Sequence, residues 1–508
     1  MTDTFLRLDA GTTSVKAALF DSRGRCLGLA REEYPLSTPS ADQAELEARI
    51  YWEASVRAIR AALAAAGTDP ARVRAVGVSS QGETTIAVDE HGLPLRPALV
   101  WLDNRAGAQS ERLAARFDRQ QVYATTGVPE IIPMWSAPKI LWIRDNEPEV
   151  FERARKFLLV KDYLVYRLSG EYATDGSVAC TSLLYDIRAH AWWAEMLEAV
   201  GLTPAQLPAI TRPGEAVGRL SGQAAEELGL RTDTLVINGG MDQAAGAIGA
   251  GSITPEILSE TTGAALALQV TTPYPDMLTP LRLPLYVHSL PGAYLFVPVL
   301  PTGGMALKWF RDAFGAEEVG RAAESGRDAY DLLTELAAQV PPGSDGLVML
   351  PHLMGAGSPE ENPAARGAFS GFTLRHGKGH FARALLEGVA FNLRQILLAL
   401  HQAGYRFGEV RTSGGGARSP LWNQIKADVC NLPIQTLANE ETALLGDAIL
   451  AGAACGVFGS VAEACAQMVS LKERIPPGED RSAYEQAFQR YEALHHCLGP
   501  YFRAYYSD

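Results

Sequence analysis

Four polar stretches carry residue types suited to handling a phosphorylated or hydroxylated ligand. The first, "DAGTTS", places Asp9, Gly11, Thr12 and Thr13 between the apolar runs "FLRL" and "VKAALF". Glycine lets a backbone approach an oxyanion, and threonine hydroxyls and N–H groups can point at it. The same residue types dominate ordinary turns, so this stretch alone leaves a phosphate cradle and a solvated turn both open. The second, "SETTGA", repeats the theme with Thr261, Thr262 and Gly263. The third, "SGGGARSPLWNQ", sets Gly414, Gly415 and Gly416 before a helical pattern that includes Asn423. Three successive glycines exceed what a tight turn needs, which favours close approach of a flat or charged ligand. The fourth, "NGGMDQAAG", carries Asp242 after an apolar strand pattern and before alanines and glycines. An aspartate there either caps the helix or, with space left beside it by small residues, serves as a general base.

Two further segments, "SSQGET" at 79–84 and "WLDNR" at 101–105, present Gln81, Gly82, Glu83, Asp103 and Arg105. Such acceptors and donors at neighbouring strand ends suit a polyhydroxylated ligand. The competing reading is a pair of polar strand ends stabilised by their own ion pair. Trp101 reads as a core residue. His495 and His496, in a late polar helix, read as solvated.

The elements that must position these residues follow from the pattern. Residues 5–33 read as an antiparallel meander, and "EARIYWEASVRAIRAALAAAG" as a helix stopped by Gly67. "DTLVINGGMDQAAGAIGAG" reads as strand, glycine turn and small-residue helix. The pattern then restarts at "ILSETTGAALALQVTT", a strand, Thr-Thr-Gly turn and strand about 250 residues after the first. "VRTSGGGARSPLWNQIKADV" adds a strand, turn and amphipathic helix. Two Thr-Thr turns, one opening each half, predict a duplicated α/β domain with a cleft between the copies.

The totals bound the function. At 508 residues the chain exceeds one core. A formal charge of −13 argues against general nucleic-acid binding, which needs a basic footprint; backbone amides can still hold an anion. The start "MTDTFLRLDA" lacks a basic region and an apolar region, and no apolar stretch approaches the ~20 residues of a membrane span. The expectation is a cytoplasmic protein without membrane partners. Six scattered cysteines, with no C-x-x-C pair, read as reduced core thiols. "GFTLRHGKG" resembles a P-loop but has Gly379 where Ser or Thr must stand, and "GAIGAG" misses the dinucleotide spacing.

Together these segments resemble the FGGY carbohydrate kinases, from the opening turn to about residue 460. "MWSAPKILWIRDN" meets the family's first signature with Met134, Ser136, Lys139, Trp142, Asp145 and Asn146. "AFSGFTLRHGKGHFARALLEG" meets the second imperfectly: His380, Phe381, Ala384 and Glu387 fit, whereas Phe372 and Leu385 do not. The resemblance implies two actin-like, RNase H-like α/β domains flanking a catalytic cleft. Residues 1–249 would form the sugar-binding half with the first phosphate loop, and residues 250–508 the ATP-binding half. It further implies ATP and Mg²⁺, with Asp9 holding the metal through water. Gly11, Thr12, Thr13, Thr261, Thr262 and Gly263 would meet the phosphates; Gly414, Gly415, Gly416 and Asn423 would meet adenosine. Asp242 matches the general base. Lys16 either neutralises phosphate charge or points to solvent.

For the substrate, "WLDNR" and the segment "LVKDYLVYRLSGEYATDGSVACTSLLYD" look xylulokinase-like, pointing to a ketopentose such as D-xylulose. Gly82–Glu83 departs from the Met-His pair usual in xylulokinases, while Glu83 and Thr84 match glycerol kinases. A polyol or other short sugar is therefore the alternative, and an actin-like ATPase without a sugar site is a third reading. A homodimer is left open.

Overall fold

The computed structural model describes residues 3–275, 282–479 and 481–506. Among these residues two large mixed sheets carry the architecture. The first has the strand order 216–219, 235–241, 73–80, 4–10, 14–21, 26–33. Strands 4–10, 14–21 and 26–33 form the expected antiparallel meander, and 73–80 and 235–241 join in parallel. The second sheet repeats this plan. Strands 257–262 and 266–272 form its hairpin, 409–413 and 434–437 join in parallel, and 471–475 closes the edge antiparallel.

The sequence explains the burial. "TFLRLDA" is covered on both faces, as a central strand between packed layers must be, and reads as a near-continuous apolar run. Its one long polar member, Arg7, is fully buried. Room for it comes from Gly77, where a Cβ would lie 1.7 Å from the Arg7 Nη1 atom. Helix Ala48–Ala66 ends at Gly67, whose left-handed φ of 57° lets its N–H reach the carbonyls of Leu63 and Ala64.

Helices Asp242–Gly249 and Thr442–Ala454 cross in backbone contact between the two units. A Cβ on Gly249 would come within 1.8 Å of the Thr442 carbonyl oxygen, and one on Gly446 within 1.8 Å of that of Ala245. Leu444, Leu445, Ala448 and Ile449 share one apolar cluster with Phe5, Phe20, Ala75 and Ile237 of the first sheet. The C-terminal part of the chain thus completes the core beneath the N-terminal sheet.

Two expectations change. His495 is not solvated: its ring lies 3.3 Å from the buried His352 and 3.3 Å from Glu360, because helix Ser482–Tyr506 packs that face on the 351–363 loop. His496 is exposed as read. All six cysteines are free, but Cys26 and Cys497 are exposed rather than in a core. No helix among the described residues is long and apolar enough to cross a membrane.

Candidate active site

The opening question about "DAGTTS" has a geometric answer. Asp9 ends strand Thr4–Ala10, and the turn that follows is closed by a hydrogen bond from the Gly11 N–H to the Ser14 carbonyl. Tyr34 donates its hydroxyl to the Gly11 carbonyl at 2.7 Å. Thr12 donates to Gln81 Oε1 at 3.0 Å and accepts from the Trp101 indole at 2.8 Å. Thr13 is exposed. The turn is braced from behind and open in front.

Asp9 accepts a hydrogen bond from Ser79 Oγ at 3.0 Å. Burial raises its carboxyl above the usual range, opposed by the ammonium of Lys16 directly across the hairpin. Asp242 opens its helix as the first residue after strand Leu235–Met241 and sits close to Asp9. Loss of hydration, with the Asp9 charge adding to it, raises Asp242 to about 7. Glu83 is the third acid. Burial pushes its carboxyl up, Lys139 pulls it down, and Asp242 pushes it up again. Asp242 thus lies within electrostatic reach of Asp9 on one side and of Glu83 on the other.

Tyr286, from the second sheet, lies within electrostatic reach of Glu83 and Asp242. Burial and then the neighbouring Glu83 raise its phenol well above the ordinary value, with Asp242 also contributing. Sequence reasoning missed it, because an apolar strand "LYV" offers no sign that its tyrosine meets an acid from the other half.

The second Thr-Thr turn faces a cavity of about 700 Å³. Thr262, Gly263, Gly304, Met305, Tyr330, Gly415, Gly416 and Trp422 belong to its wall. Gly414 is required by its φ of 79° and by the Thr262 carbonyl, which would lie 2.8 Å from a Cβ. Gly415 faces open space.

Several sequence-assigned residues turn out to be engaged inside the protein. Asp103 is fully buried and binds Arg105 through two oxygens and the Ala44 N–H; Arg105 also pairs with Glu45 at 2.8 Å and stacks over Trp142. Asp103 and Arg105 thus form their own ion pair, completed by an acid distant in sequence. Gln81 spends both amide atoms on Thr12 and Tyr51. The Thr262 hydroxyl points into the core, onto Glu260 and the buried Lys426. Thr261, the alternate residue of that strand, is half-exposed and meets Ser413. Asn423 stands behind the glycine turn, donating to the Ala417 carbonyl at 2.7 Å. Lys16 does not point to solvent alone: it pairs with Glu441 at 2.6 Å, across the two units.

Duplicated α/β units of this topology, with a glycine-lined cavity in the second, define an actin-like two-domain kinase fold. The profile of the FGGY family of carbohydrate kinases matches residues 4–249 with its N-terminal domain and 257–455 with its C-terminal domain. The chain belongs to this family, whose members are ATP-dependent sugar kinases, and so the ATPase reading without a sugar falls away. It is 32% identical over 483 residues to a gluconokinase of Bacillus subtilis, covering 94% of this chain and 93% of that one. It is 29% identical to a xylulose kinase of Staphylococcus epidermidis, covering 96% of both chains. A gluconate kinase structure from Lactobacillus acidophilus superposes with a TM-score of 0.90 at 26% identity, over 99% of this chain and 100% of that chain.

Proposed function

We propose that this kinase phosphorylates a neutral short sugar, a ketopentose such as D-xylulose before a polyol, with Asp242 as general base. The observation carrying this reading is the place of Asp242 at the start of its helix, directly after strand Leu235–Met241 and within electrostatic reach of both Asp9 and Glu83. Asp242, held near neutrality by burial and by Asp9, accepts the proton of the attacking hydroxyl as its oxygen closes on the γ-phosphorus. A base of this kind contributes typically 10²–10⁴-fold. The rest of the rate comes from positioning and charge stabilisation. The turns of Gly11, Thr12 and Thr13 and of Thr261, Thr262 and Gly263 face the phosphates, and the adenosine lies in the cavity bounded by Gly415 and Gly416. Asp9, with Ser79 on only one oxygen, would hold a Mg²⁺, an ion that usually takes one or two carboxylates plus phosphates. The ion, when bound, neutralises charge on the transferred group.

Glu83 reads the sugar, accepting from neighbouring hydroxyls. A second reading, a sugar acid, is favoured by the similarity to the gluconokinase. Charge opposes it, because a substrate carboxylate beside Glu83 and Asp242 would raise both acids further and leave Asp242 protonated, unable to act as the base. The test is kcat/KM with Mg·ATP across ketoses, aldoses, polyols and gluconate, with the phosphorylated product identified. A ketopentose should lead, and gluconate should trail by at least about tenfold. Gluconate in first place would overturn the neutral-sugar reading.

A further inference from the structure

We propose that Ser136, Lys139 and Thr181 form a clamp on the backbone of Glu83, and that this clamp sets affinity for the sugar; the inference rests on the reading of Glu83 above. Glu83 has a φ of 53°, in the left-handed region that residues bearing a Cβ seldom occupy. Such a conformation persists only where the surroundings hold it. Here they do so at both ends of the residue. Its N–H donates to Thr181 Oγ1 at 3.2 Å. Its carbonyl accepts from Ser136 Oγ at 3.0 Å and from Lys139 Nζ at 3.5 Å. Gly82 makes the approach feasible, since a Cβ there would lie 2.5 Å from Thr181 Oγ1.

The clamp is drawn from two separate segments. Ser136 and Lys139 lie one turn apart on helix Ser136–Asn146, and Thr181 lies in the short turn 180–182. Lys139 is the informative member. It is fully buried, and among the described residues it has no carboxylate within 4 Å. Its ammonium is instead spent on the carbonyls of Met134, at 2.6 Å, and Glu83. Burying a lysine is costly, and packing alone would be served by leucine or methionine. What the lysine adds is a charge beside Glu83 and a donor to its carbonyl. Without the clamp, residue 83 relaxes toward the extended conformation of the strand before it, and its carboxyl moves away from Asp242. The three are positioning residues: they act through Glu83 and need not touch the sugar.

The experiment is a set of double-mutant cycles. Ser136→Ala, Thr181→Val and Lys139→Met are made singly and in a Glu83→Ala background, with KM for D-xylulose and for ATP, kcat and melting temperature measured. Each single variant should raise the KM for xylulose about three- to tenfold, with the KM for ATP within twofold of the parent. In the Glu83→Ala background the same changes should move the sugar KM less than twofold. Equal effects in both backgrounds would overturn the clamp, leaving three residues that merely support the fold. If Glu83→Ala itself leaves the sugar KM unchanged, both the reading of Glu83 and the clamp fall. Should Lys139→Met not fold, Ser136→Ala and Thr181→Val still decide the matter, since each keeps shape and removes one hydroxyl.

Discussion

Asp447 accepts a hydrogen bond from the N–H of Gly240 at 3.2 Å, fastening the strand end two residues ahead of Asp242 to a helix of the other unit. The next amide, of Met241, donates to Ser177 Oγ at 3.0 Å. The chain leading into the proposed base is therefore held once from each half. A side chain at Gly239 is excluded, since its Cβ would lie 2.7 Å from the Asp447 carboxylate. Arg7 supplies the nearby positive charge that partly offsets the burial of Asp447.

Asp447→Ala should lower kcat about tenfold or more while leaving both Michaelis constants within threefold, because it loosens the base and not the ligands. Asp447→Asn keeps an acceptor oxygen and should recover most of the loss. Steady-state kinetics on the two variants check this; wild-type kcat in Asp447→Ala would contradict it.

The Lys16–Glu441 pair joins the two units at 2.6 Å with both side chains about 30% exposed. Exposed ion pairs contribute roughly 0–1 kcal/mol, so its value lies in keeping the ammonium at the mouth of the phosphate turn. Lys16→Met should shift the melting temperature by no more than about 2 °C and still cut kcat/KM for ATP at least tenfold. Unchanged nucleotide kinetics would return Lys16 to a purely structural role.

Thr262 and Thr261 should separate cleanly. Thr262→Val removes a buried hydroxyl from Glu260 and Lys426, leaving polar atoms unpaired at about 1–3 kcal/mol. The melting temperature should fall by several degrees, with the KM for ATP rising less than threefold. Thr261→Val, at the half-exposed position, should do the reverse. Thermal melts alongside nucleotide titration distinguish the two outcomes.

The raised Asp242 also has a sign in stability. Burial raises its carboxyl to about 7 in the folded protein from the ordinary 3.8 of an aspartate, so the folded form binds the proton more tightly between those values. Stability is lost as pH rises from about 4 to 7 and the group must ionise in place. Asp242→Asn removes that cost, so the variant should melt higher than the parent above pH 7, with the gain shrinking toward pH 4. Melting curves from pH 4 to 8 test it, and a gain independent of pH would contradict the assigned shift.

Much of this was legible in the sequence, and what was not has physical reasons. Glycine and threonine between apolar runs marked the two turns proposed to face phosphate, since few other residues permit a backbone to crowd an anion. Asp242, the proposed base, stood out by the small residues after it. Side-chain direction was not legible: in "SETTGA" period-two alternation says that one threonine faces inward, and only tertiary packing decides that it is Thr262. Pairings distant in sequence were equally hidden. Nothing near Asp103 and Arg105 announces Glu45, and nothing near Lys16 announces Glu441. Arg7, in the middle of "FLRLD", gave no sign of burial, because the space for it is made by Gly77 on another strand.

The central claim is that Asp242 takes the proton from the sugar hydroxyl. Its most direct test is the rate of D-xylulose phosphate formation by Asp242→Asn at saturating Mg·ATP and sugar, with the affinity for ATP measured alongside. The account predicts a rate at least about 100-fold below the parent, with ATP affinity within threefold. A variant retaining more than half of the parent rate would contradict it.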